Sequence, residues 1–251
     1  MSLGKIPLVS ITLVLLAGCA TVPQWQPPAG RQKVAVAAIV NPMADQIHLG
    51  ITVFGNSFNH ADIGFDINQE ISQVVRDQLA KSGRYDLVDM PVEPKAFTSA
   101  TCFWNMGWTV NSLCKPLADK LVQNAKGRGI DYIIGVIDVR STMGGAEGWG
   151  LFQHHGGCYS AYVNYFVFVL NARTGVTEAS TSYDGFRRVE DIDWDAAWSA
   201  IPDAKRAEVL SDLKSIVHED IPWTLTALGI VPGNAKPIDY GVTECHPYMG
   251  G

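Results

Sequence analysis

Two segments of the chain are apolar on both faces, and they constrain its fold more than any other feature. They are residues 34–40 (VAVAAIV) and residues 131–139 (DYIIGVIDV). Because successive side chains of a strand point to opposite sides of a sheet, such a strand is stable only where both sides are covered. The pattern therefore predicts two central strands of an α/β sheet with helices on both faces.

Two amphipathic helices suited to that cover lie between the two strands. Asp66 and Gln69 form a capping-box pattern at the start of the first helix, and Gly83 marks its end. The second helix is expected over about residues 115–126, where leucine and alanine recur at every fourth position. Strands and helices therefore alternate through the first half of the chain.

The rest of the domain, which is expected to span residues 33–231, adds a hairpin and two helices. A long strand at residues 159–171 is followed by a turn and a return strand at residues 176–183. The other predicted elements are a short strand at residues 85–89 and helices at residues 203–218 and 221–228, the last with Asp220 as its cap. The predicted fold class is α/β, a single mixed-sheet domain of order β-α-β-α-β-β-α.

Four segments do not follow this pattern. Residues 41–64 form a loop that could contain a short strand, and residues 90–112 carry prolines and an aromatic insert. Residues 141–157 contain six glycines, which predict a loop or a bent hairpin. The C-terminal tail, residues 232–251, has no hydrophobic period and is expected to be irregular.

Four short steps of the domain have a recognisable pattern: residues 33–37 (KVAVA), 79–88 (LAKSGRYDLV), 129–135 (GIDYIIG) and 164–176 (NYFVFVLNARTGV). Together they resemble the TolB N-terminal/CsgG-like family, which includes the curli-secretion lipoprotein CsgG, the penicillin-binding-protein activator LpoB, the exopolysaccharide lipoprotein PelC and flagellar lipoproteins. The resemblance covers a little more than half of the chain and implies an envelope lipoprotein with this α/β fold. The two long inserts, the extra cysteines and the tail depart from the family pattern.

Residues 1–18 predict a lipoprotein signal peptide. Lys5 precedes an apolar run of about eleven residues, which is too short to cross the roughly 30 Å core of a bilayer as a helix. Residues 16–19 (LAGC) follow at once and resemble the lipobox of bacterial lipoproteins. The resemblance implies that Cys19 receives a diacylglyceryl group, that the chain is cut before it, and that the new amine is acylated. An ordinary signal peptide followed by a chance cysteine is the alternative.

Residues 19–32 are expected to form a lipidated tether. Three acyl chains on Cys19 would anchor the protein firmly, whereas one chain alone binds a membrane only marginally. Ala20 is not the aspartate that favours retention at the inner membrane, so we expect the periplasmic face of the outer membrane. The segment contains three prolines and no apolar period, and Trp25 is expected to be exposed or to reach the lipid interface.

Four further cysteines predict two disulfide bonds, because the periplasm is oxidising. Proximity in sequence favours Cys102 with Cys114, which leaves Cys158 with Cys245. The two other connectivities stay open. The first bridge would hold the aromatic insert in place, and the second would fasten the C-terminal tail to the domain.

Metal ligation is the competing role for some of these cysteines. The candidate ligands are His154, His155, Cys158, Cys245 and His246. Imidazole and thiolate groups suit zinc or copper. Two adjacent histidines cannot easily face one site from a strand, and the periplasm favours pairing of the thiols. We therefore expect no metal and no cofactor.

Composition and charge exclude several classes of function. With 47% hydrophobic and 18% charged residues, the chain is not intrinsically disordered. A formal net charge of −6 argues against a nucleic-acid binder and gives no overall attraction to anionic lipid. The sequence contains no G-x-S-x-G, Walker or H-E-x-x-H motif, so we expect no enzyme.

Three tryptophans in the inserts are candidate contacts for a partner: Trp104, Trp108 and Trp149. Exposed aromatic side chains often dominate binding energy, although these could instead pack on the domain itself. We predict a lipid-anchored periplasmic binding or assembly factor for an envelope complex. The alternatives are a ring-forming subunit of a secretion or polysaccharide-export system and a periplasmic metal-binding protein.

Overall fold

The computed structural model describes residues 24–49, 56–97, 113–139, 148–154, 158–189, 192 and 197–234. The strands in these ranges are β1 (Gln32–Ile39), β2 (Ala44–Leu49), β3 (Ser57–Ala61), β4 (Tyr85–Leu87), β5 (Tyr132–Asp138), β6 (Trp149–His154), β7 (Cys158–Asn171) and β8 (Thr177–Arg188). The α-helices are α1 (Ile67–Ser82), α2 (Pro94–Phe97), α3 (Lys115–Ala125) and α4 (Asp203–Ala227). A 3₁₀ turn at Trp198–Ala200 precedes α4.

All eight strands belong to one mixed sheet. Its order is β3-β2-β6-β7-β5-β1-β4, and β8 pairs with β7. Strand β1 lies parallel between β4 and β5, whereas β7 is antiparallel to β5, β6 and β8. The prediction of a single mixed-sheet α/β domain is confirmed.

The long strand β7 joins the two halves of the sheet. One edge of β7 pairs with β8 along nearly its whole length. The other edge pairs with β6 through Val163 and with β5 from Tyr165 onward. Asn164 therefore marks the point where the sheet divides, and its backbone bonds to both Val139 and Gly148. A strand paired and covered in this way must be largely apolar, as residues 161–170 are apart from Asn164.

Helices cover both faces of the central strands, as the apolar runs predict. On one face, Val34, Val36 and Ala38 of β1 pack in a core with α1 and α4. On the other face, Ala35 and Ala37 pack with α3. These alternate residues point to opposite sides because the side-chain period of a strand is two.

Helix α1 begins and ends at the residues that the sequence predicts. The Asp66 carboxylate accepts a hydrogen bond from the Gln69 backbone N–H at 3.0 Å. At the other end, Gly83 adopts a left-handed conformation with φ of 66°, which a residue with a side chain adopts only at a cost. Both signals therefore identify the helix ends correctly.

Three of the eight described strands, β2, β3 and β6, do not correspond to any strand predicted from the sequence. Residues 41–64 contain β2 and β3, and residues 141–157 contain β6. The sequences of β2 (ADQIHL) and β3 (SFNHA) are rich in polar residues and lack regular alternation, so periodicity does not detect them. Strand β2 forms because it pairs with the edge of β6 in parallel, and β3 pairs with β2 in turn. Backbone hydrogen bonds therefore determine these strands more than the pattern of their side chains does.

Helix α4 is one element where two were predicted. Pro222 lies inside it, although an interior proline costs a helix roughly 3 kcal/mol. The helix continues because Val217, Ile221 and Leu225, on both sides of the proline, are fully buried in the same core. Asp220 is consequently not a helix cap but a fully buried residue of the helix interior.

Helix α4 also approaches β8 closely, and a glycine permits it. A Cβ atom on Gly185 of β8 would lie 2.3 Å from Asp220 Oδ2 and 2.4 Å from Ile216 Cγ2. Beside this contact, the Tyr165 hydroxyl hydrogen-bonds Thr224 Oγ1 at 3.0 Å, and Thr224 Oγ1 donates to the Asp220 carbonyl at 2.8 Å. Burial, reinforced by the charge of Asp220, raises the pKa of Tyr165 well above its ordinary value.

Glu70 of α1 links the two helices on this face. Its carboxylate hydrogen-bonds His218 of α4, and Lys214 Nζ lies 3.3 Å from the same oxygen, Oε1. Burial alone would raise the pKa of Glu70, but the bonds and charges of His218 and Lys214 outweigh it and lower the pKa below 4.5.

We expect Glu70→Gln to lower the free energy of unfolding by about 1 kcal/mol at neutral pH. Because the pKa of Glu70 is lowered in the folded state, this contribution is complete above pH 4.5 and is lost as pH falls through the folded value. Urea unfolding at pH 7 and at pH 3 should show the gap between wild type and variant closing in acid. Glu208→Gln, on the exposed side of α4, serves as the control. A gap that does not change with pH would contradict the assignment.

Candidate functional site: the junction of the N-terminal segment with the domain

The N-terminal segment joins the domain through Trp25. This side chain is only 5% exposed. Its backbone N–H donates to the Leu228 carbonyl at 2.7 Å, and its indole Nε1–H donates to Glu178 Oε2 at 2.8 Å. The expectation of an exposed or lipid-inserted Trp25 is therefore wrong, because the ring is part of the protein core.

Two tyrosines form the seat of the Trp25 ring. Tyr85 stacks on it with ring centroids 6.3 Å apart, and Tyr132 meets it edge-on at 5.0 Å. Each is the first residue of a strand, β4 or β5, so the seat lies where the parallel strands begin. The Tyr85 hydroxyl donates to the Ile230 carbonyl at 2.5 Å. Burial raises the pKa of Tyr85 to about 12, against an opposing effect of Arg84.

The backbone of the turn after α4 lies in close contact with the N-terminal segment at Trp25. Gly229 has a φ of 76°, and a Cβ atom on it would lie 2.8 Å from the Trp25 carbonyl oxygen. A glycine at this position therefore allows both the turn and the close approach of the two backbones. The segment is thus held by backbone, ring and indole contacts together.

Asp131 strengthens the same edge of the sheet. Its carboxylate accepts the Lys33 backbone N–H at 3.0 Å and pairs with Arg173 at 2.6 Å. The bond from Lys33, opposed by burial and aided by Arg173, lowers the pKa of Asp131. The start of β1 and the β7–β8 turn are tied together in this way.

The position of Trp25 limits the reach of an anchor. Only six residue steps separate Trp25 from Cys19, and a fully extended chain spans at most about 20 Å over that length. The free tether expected over residues 19–32 therefore ends before Trp25. Cys19 itself lies outside the described residues.

An open cavity of about 950 Å³ lies at the other end of the parallel strands. We call it the β1–α1 groove. It opens between the end of β1, the start of α1 and the segment after β4, about 25 Å from the Trp25 seat along the eight residues of β1. The carboxyl ends of strands in open α/β sheets are common ligand sites. The residues that line this groove include Met43, Phe65, Arg76, Met90, Val92 and Glu93.

The lining of the groove is mixed in character. Methionines such as Met43, which is 37% exposed, adapt their shape to apolar partners. Arg76 pairs with Asp89 at 2.9 Å, which places charge at the rim. Helix α2 ends at Phe97, so the chain leaves the groove directly into the insert that carries Trp104 and Trp108. Those two tryptophans lie outside the described residues.

Trp149 does not provide the contact surface predicted for it. It is 1% exposed, and its Nε1–H donates to the Asn41 carbonyl at 2.6 Å. Its ring lies 5.7 Å from that of Phe65, a residue of the groove lining. The correction follows from its place at the start of β6, whose residues pair with β7 and β2.

The cysteine and histidine predictions fall mainly outside the described residues. Cys114 is disulfide-bonded, but Cys102 lies outside, so their pairing stays a prediction. Cys158 pairs with His154 in the β6–β7 ladder through the backbone, while Cys245 lies outside. His155 and His246 lie outside as well. Within the described ranges, no group of three or more His, Cys, Asp or Glu residues could hold a metal ion.

None of the helices in the described part of the chain combines the length and hydropathy that crossing a bilayer requires.

Sequence reasoning missed the residues that make up the Trp25 seat. Tyr85, Tyr132, Glu178 and Gly229 are far apart in the chain and belong to no motif. The available signal was a large aromatic side chain between two proline-containing stretches just before the first strand, which can bury a large apolar area if it packs on the domain.

Known proteins were compared with the chain at three levels. No family model and no curated protein matches it. Among solved structures it is similar to the protein XCC0632 of Xanthomonas campestris, with 13% identity over 83% of this chain and 89% of the other and a TM-score of 0.42. It is similar to the PelC dodecamer of Paraburkholderia phytofirmans, with 13% identity over 83% and 96% and a TM-score of 0.34. It is also similar to the lipoprotein GNA1162 of Neisseria meningitidis, with 12% identity over 76% and 97% and a TM-score of 0.30. PelC is one of the proteins in the family that the sequence resembles.

We expect Trp25→Ala to lower the free energy of unfolding by about 3 kcal/mol, because a large buried ring is removed from the core. Trp25→Phe keeps most of the ring packing and loses the bond to Glu178, so its loss should be about 1 kcal/mol. Gln26→Ala, an exposed neighbour, should change stability by less than about 0.5 kcal/mol. Urea unfolding of the mature chain measures all three. Equal stability of Trp25→Ala and wild type would show that the segment is not docked.

Proposed function

We propose that the chain is a lipid-anchored periplasmic binding and assembly factor of the bacterial envelope, which acts without catalysis. The observation that carries the proposal is the short distance between a lipobox cysteine, Cys19, and the docked Trp25. A signal sequence that ends in a lipobox specifies an anchor, and a domain fastened six residues later is held beside the membrane. The periplasmic face of the outer membrane is the proposed location.

The two ends of the sheet then have different roles. The Trp25 seat lies at the membrane side, because the anchor enters there. The β1–α1 groove lies at the opposite end of β1 and faces the periplasm, where a protein partner can reach it. A groove that combines exposed apolar side chains with polar groups at its rim is suited to binding a protein segment.

Several polar groups of the groove have structural partners, which supports a binding role. Asp66 caps α1, Arg76 pairs with Asp89, and Asn68 exchanges two hydrogen bonds of 2.8 Å with the Val40 backbone. No nucleophile held by a neighbouring base occurs among the described lining residues. The groove therefore offers shape and apolar area rather than reacting groups.

The partner is expected to contact both the groove and the adjacent insert. A photo-crosslinking amino acid at Met43, at the groove, should capture one envelope protein in living cells. The same probe at Phe58, which is 57% exposed on β3, should not. The double change Trp104→Ala/Trp108→Ala should reduce capture from position 43 roughly tenfold, because interface tryptophans often dominate binding.

Two outcomes would contradict this proposal. Equal capture from both probe positions would show that the groove is not the contact surface. Capture of every protein at an unchanged level after the double change would show that the insert does not contact the partner. If the mature chain instead migrates as a discrete closed ring by native mass, a ring-forming secretion or export subunit becomes the better assignment.

A further inference from the structure

The end of the domain that holds Trp25 carries an excess of positive charge. Five segments meet there: residues 24–34, 80–87, 125–132, 171–179 and 226–234. Their basic residues, which we call the basic face, are Arg31, Lys33, Lys81, Arg84, Lys126, Arg128 and Arg173. All seven are exposed.

The topology gathers these residues from distant parts of the sequence. Strands β1, β4 and β5 are parallel and begin together, since Gln32 pairs with Tyr85 and Val34 with Tyr132. The β7–β8 turn returns to the same edge, because Asn171 pairs with Tyr132. Helices α1 and α3 each lead into one of these strands, so their C-terminal turns lie at this end as well.

The cations at the helix ends have a local electrostatic reason. The C-terminus of a helix carries partial negative charge, which favours a basic residue in its last turn. Lys81 lies in the last turn of α1, and Lys126 follows α3 directly. Each helix therefore presents a lysine at the same end of the sheet.

Acidic residues neutralise only part of this charge. The same five segments contain three carboxylates: Asp86, which pairs with Arg31 at 3.0 Å, Asp131, and Glu178. Seven cations against three carboxylates leave an excess of four positive charges. The whole chain carries −6, so all its other residues together carry −10. The net charge of the whole chain therefore conceals a local excess of positive charge at this end of the domain.

We propose that the basic face docks on an anionic phospholipid surface. The proposal deepens the proposed function and rests on its lipid anchor at Cys19. An anchor six residues from Trp25 is short enough to bring the basic face to the bilayer surface, within the Debye length of about 8 Å over which exposed charges interact. Each basic residue close to an anionic surface strengthens binding about fivefold.

Docking at this face would also orient the protein. Because the basic face is then the end nearest the anionic surface, the end of the sheet with the β1–α1 groove points away from it. An acyl anchor together with a basic surface gives two independent attachments, a combination that holds a protein on a membrane more firmly than either alone.

Vesicle binding by the mature chain tests the proposal. The chain is prepared without acyl groups by Cys19→Ser and removal of the signal peptide, and is mixed with vesicles of pure phosphatidylcholine or of phosphatidylcholine with one quarter phosphatidylglycerol. We expect binding to the anionic vesicles only, and weaker binding as salt increases.

A matched pair of variants locates the surface. Lys81→Glu/Lys126→Glu changes the basic face, and Lys115→Glu/Lys120→Glu makes the same change in net charge at the first residue and the middle of α3. The first should lower the partition coefficient on anionic vesicles at least roughly thirtyfold, since two fivefold contributions are removed and two repelled carboxylates are added. The second should lower it less than about threefold by its general charge effect. Unfolding midpoints confirm that both variants are folded.

Several outcomes would overturn the proposal. They are equal binding to neutral vesicles, equal losses in the two variants, or binding of a soluble polyanion such as heparin with no binding to anionic vesicles. Mass spectrometry of the chain from bacterial membranes tests the anchor separately. An unmodified Cys19 would refute the lipid anchor of the proposed function, whereas the vesicle experiment would still report on the basic face.

Discussion

The parallel arrangement of β1 between β4 and β5 determines which parts of the chain meet at each end of the domain. The three strands begin at one edge, so the N-terminal segment, the turn after α4 and the C-terminal turns of α1 and α3 converge there. The same strands end at the opposite edge, where the β1–α1 groove opens. In the proposed function, the site of membrane attachment and the site of partner binding are therefore separated by the length of one strand.

Trp25 connects this arrangement to the proposed membrane anchor. A tryptophan that was merely part of a linker would leave the domain free to rotate about its anchor. Buried against Tyr85 and Tyr132, and bonded to Glu178 and Leu228, it instead makes the last residues before β1 part of the domain. The direction in which the anchor leaves the fold is therefore fixed, and the basic face surrounds that point.

The sequence predicts the central part of this structure well, because burial on both faces leaves a strong pattern. The apolar runs identify β1, β5 and β7, and the capping signals at Asp66 and Gly83 identify α1. Strands β2 and β3 escape prediction because their stability comes from pairing with a neighbour, which leaves no apolar period. The continuity of α4 escapes it because tertiary packing around Pro222 outweighs the local cost of the proline.

The candidate site is less predictable than the fold for a related reason. Its residues come from five separate segments, and each of them looks ordinary in its own surroundings. The buried states of Trp25 and Trp149 depend on partners far away in the chain, so the sequence did not predict the burial of Trp25 and left that of Trp149 open. The basic face was hidden for another reason, since a net charge of −6 sums the whole chain and does not show where the cations gather.

The orientation of the domain on the membrane is the central claim, and a distance measurement tests it most directly. A fluorescent amino acid is placed at Lys126, on the basic face, or at Glu93, at the groove, in the acylated mature chain reconstituted into anionic vesicles. A quencher attached to lipid headgroups should strongly reduce the fluorescence at position 126 and leave that at position 93 nearly unchanged. Equal quenching at both positions, or stronger quenching at position 93, would contradict the account.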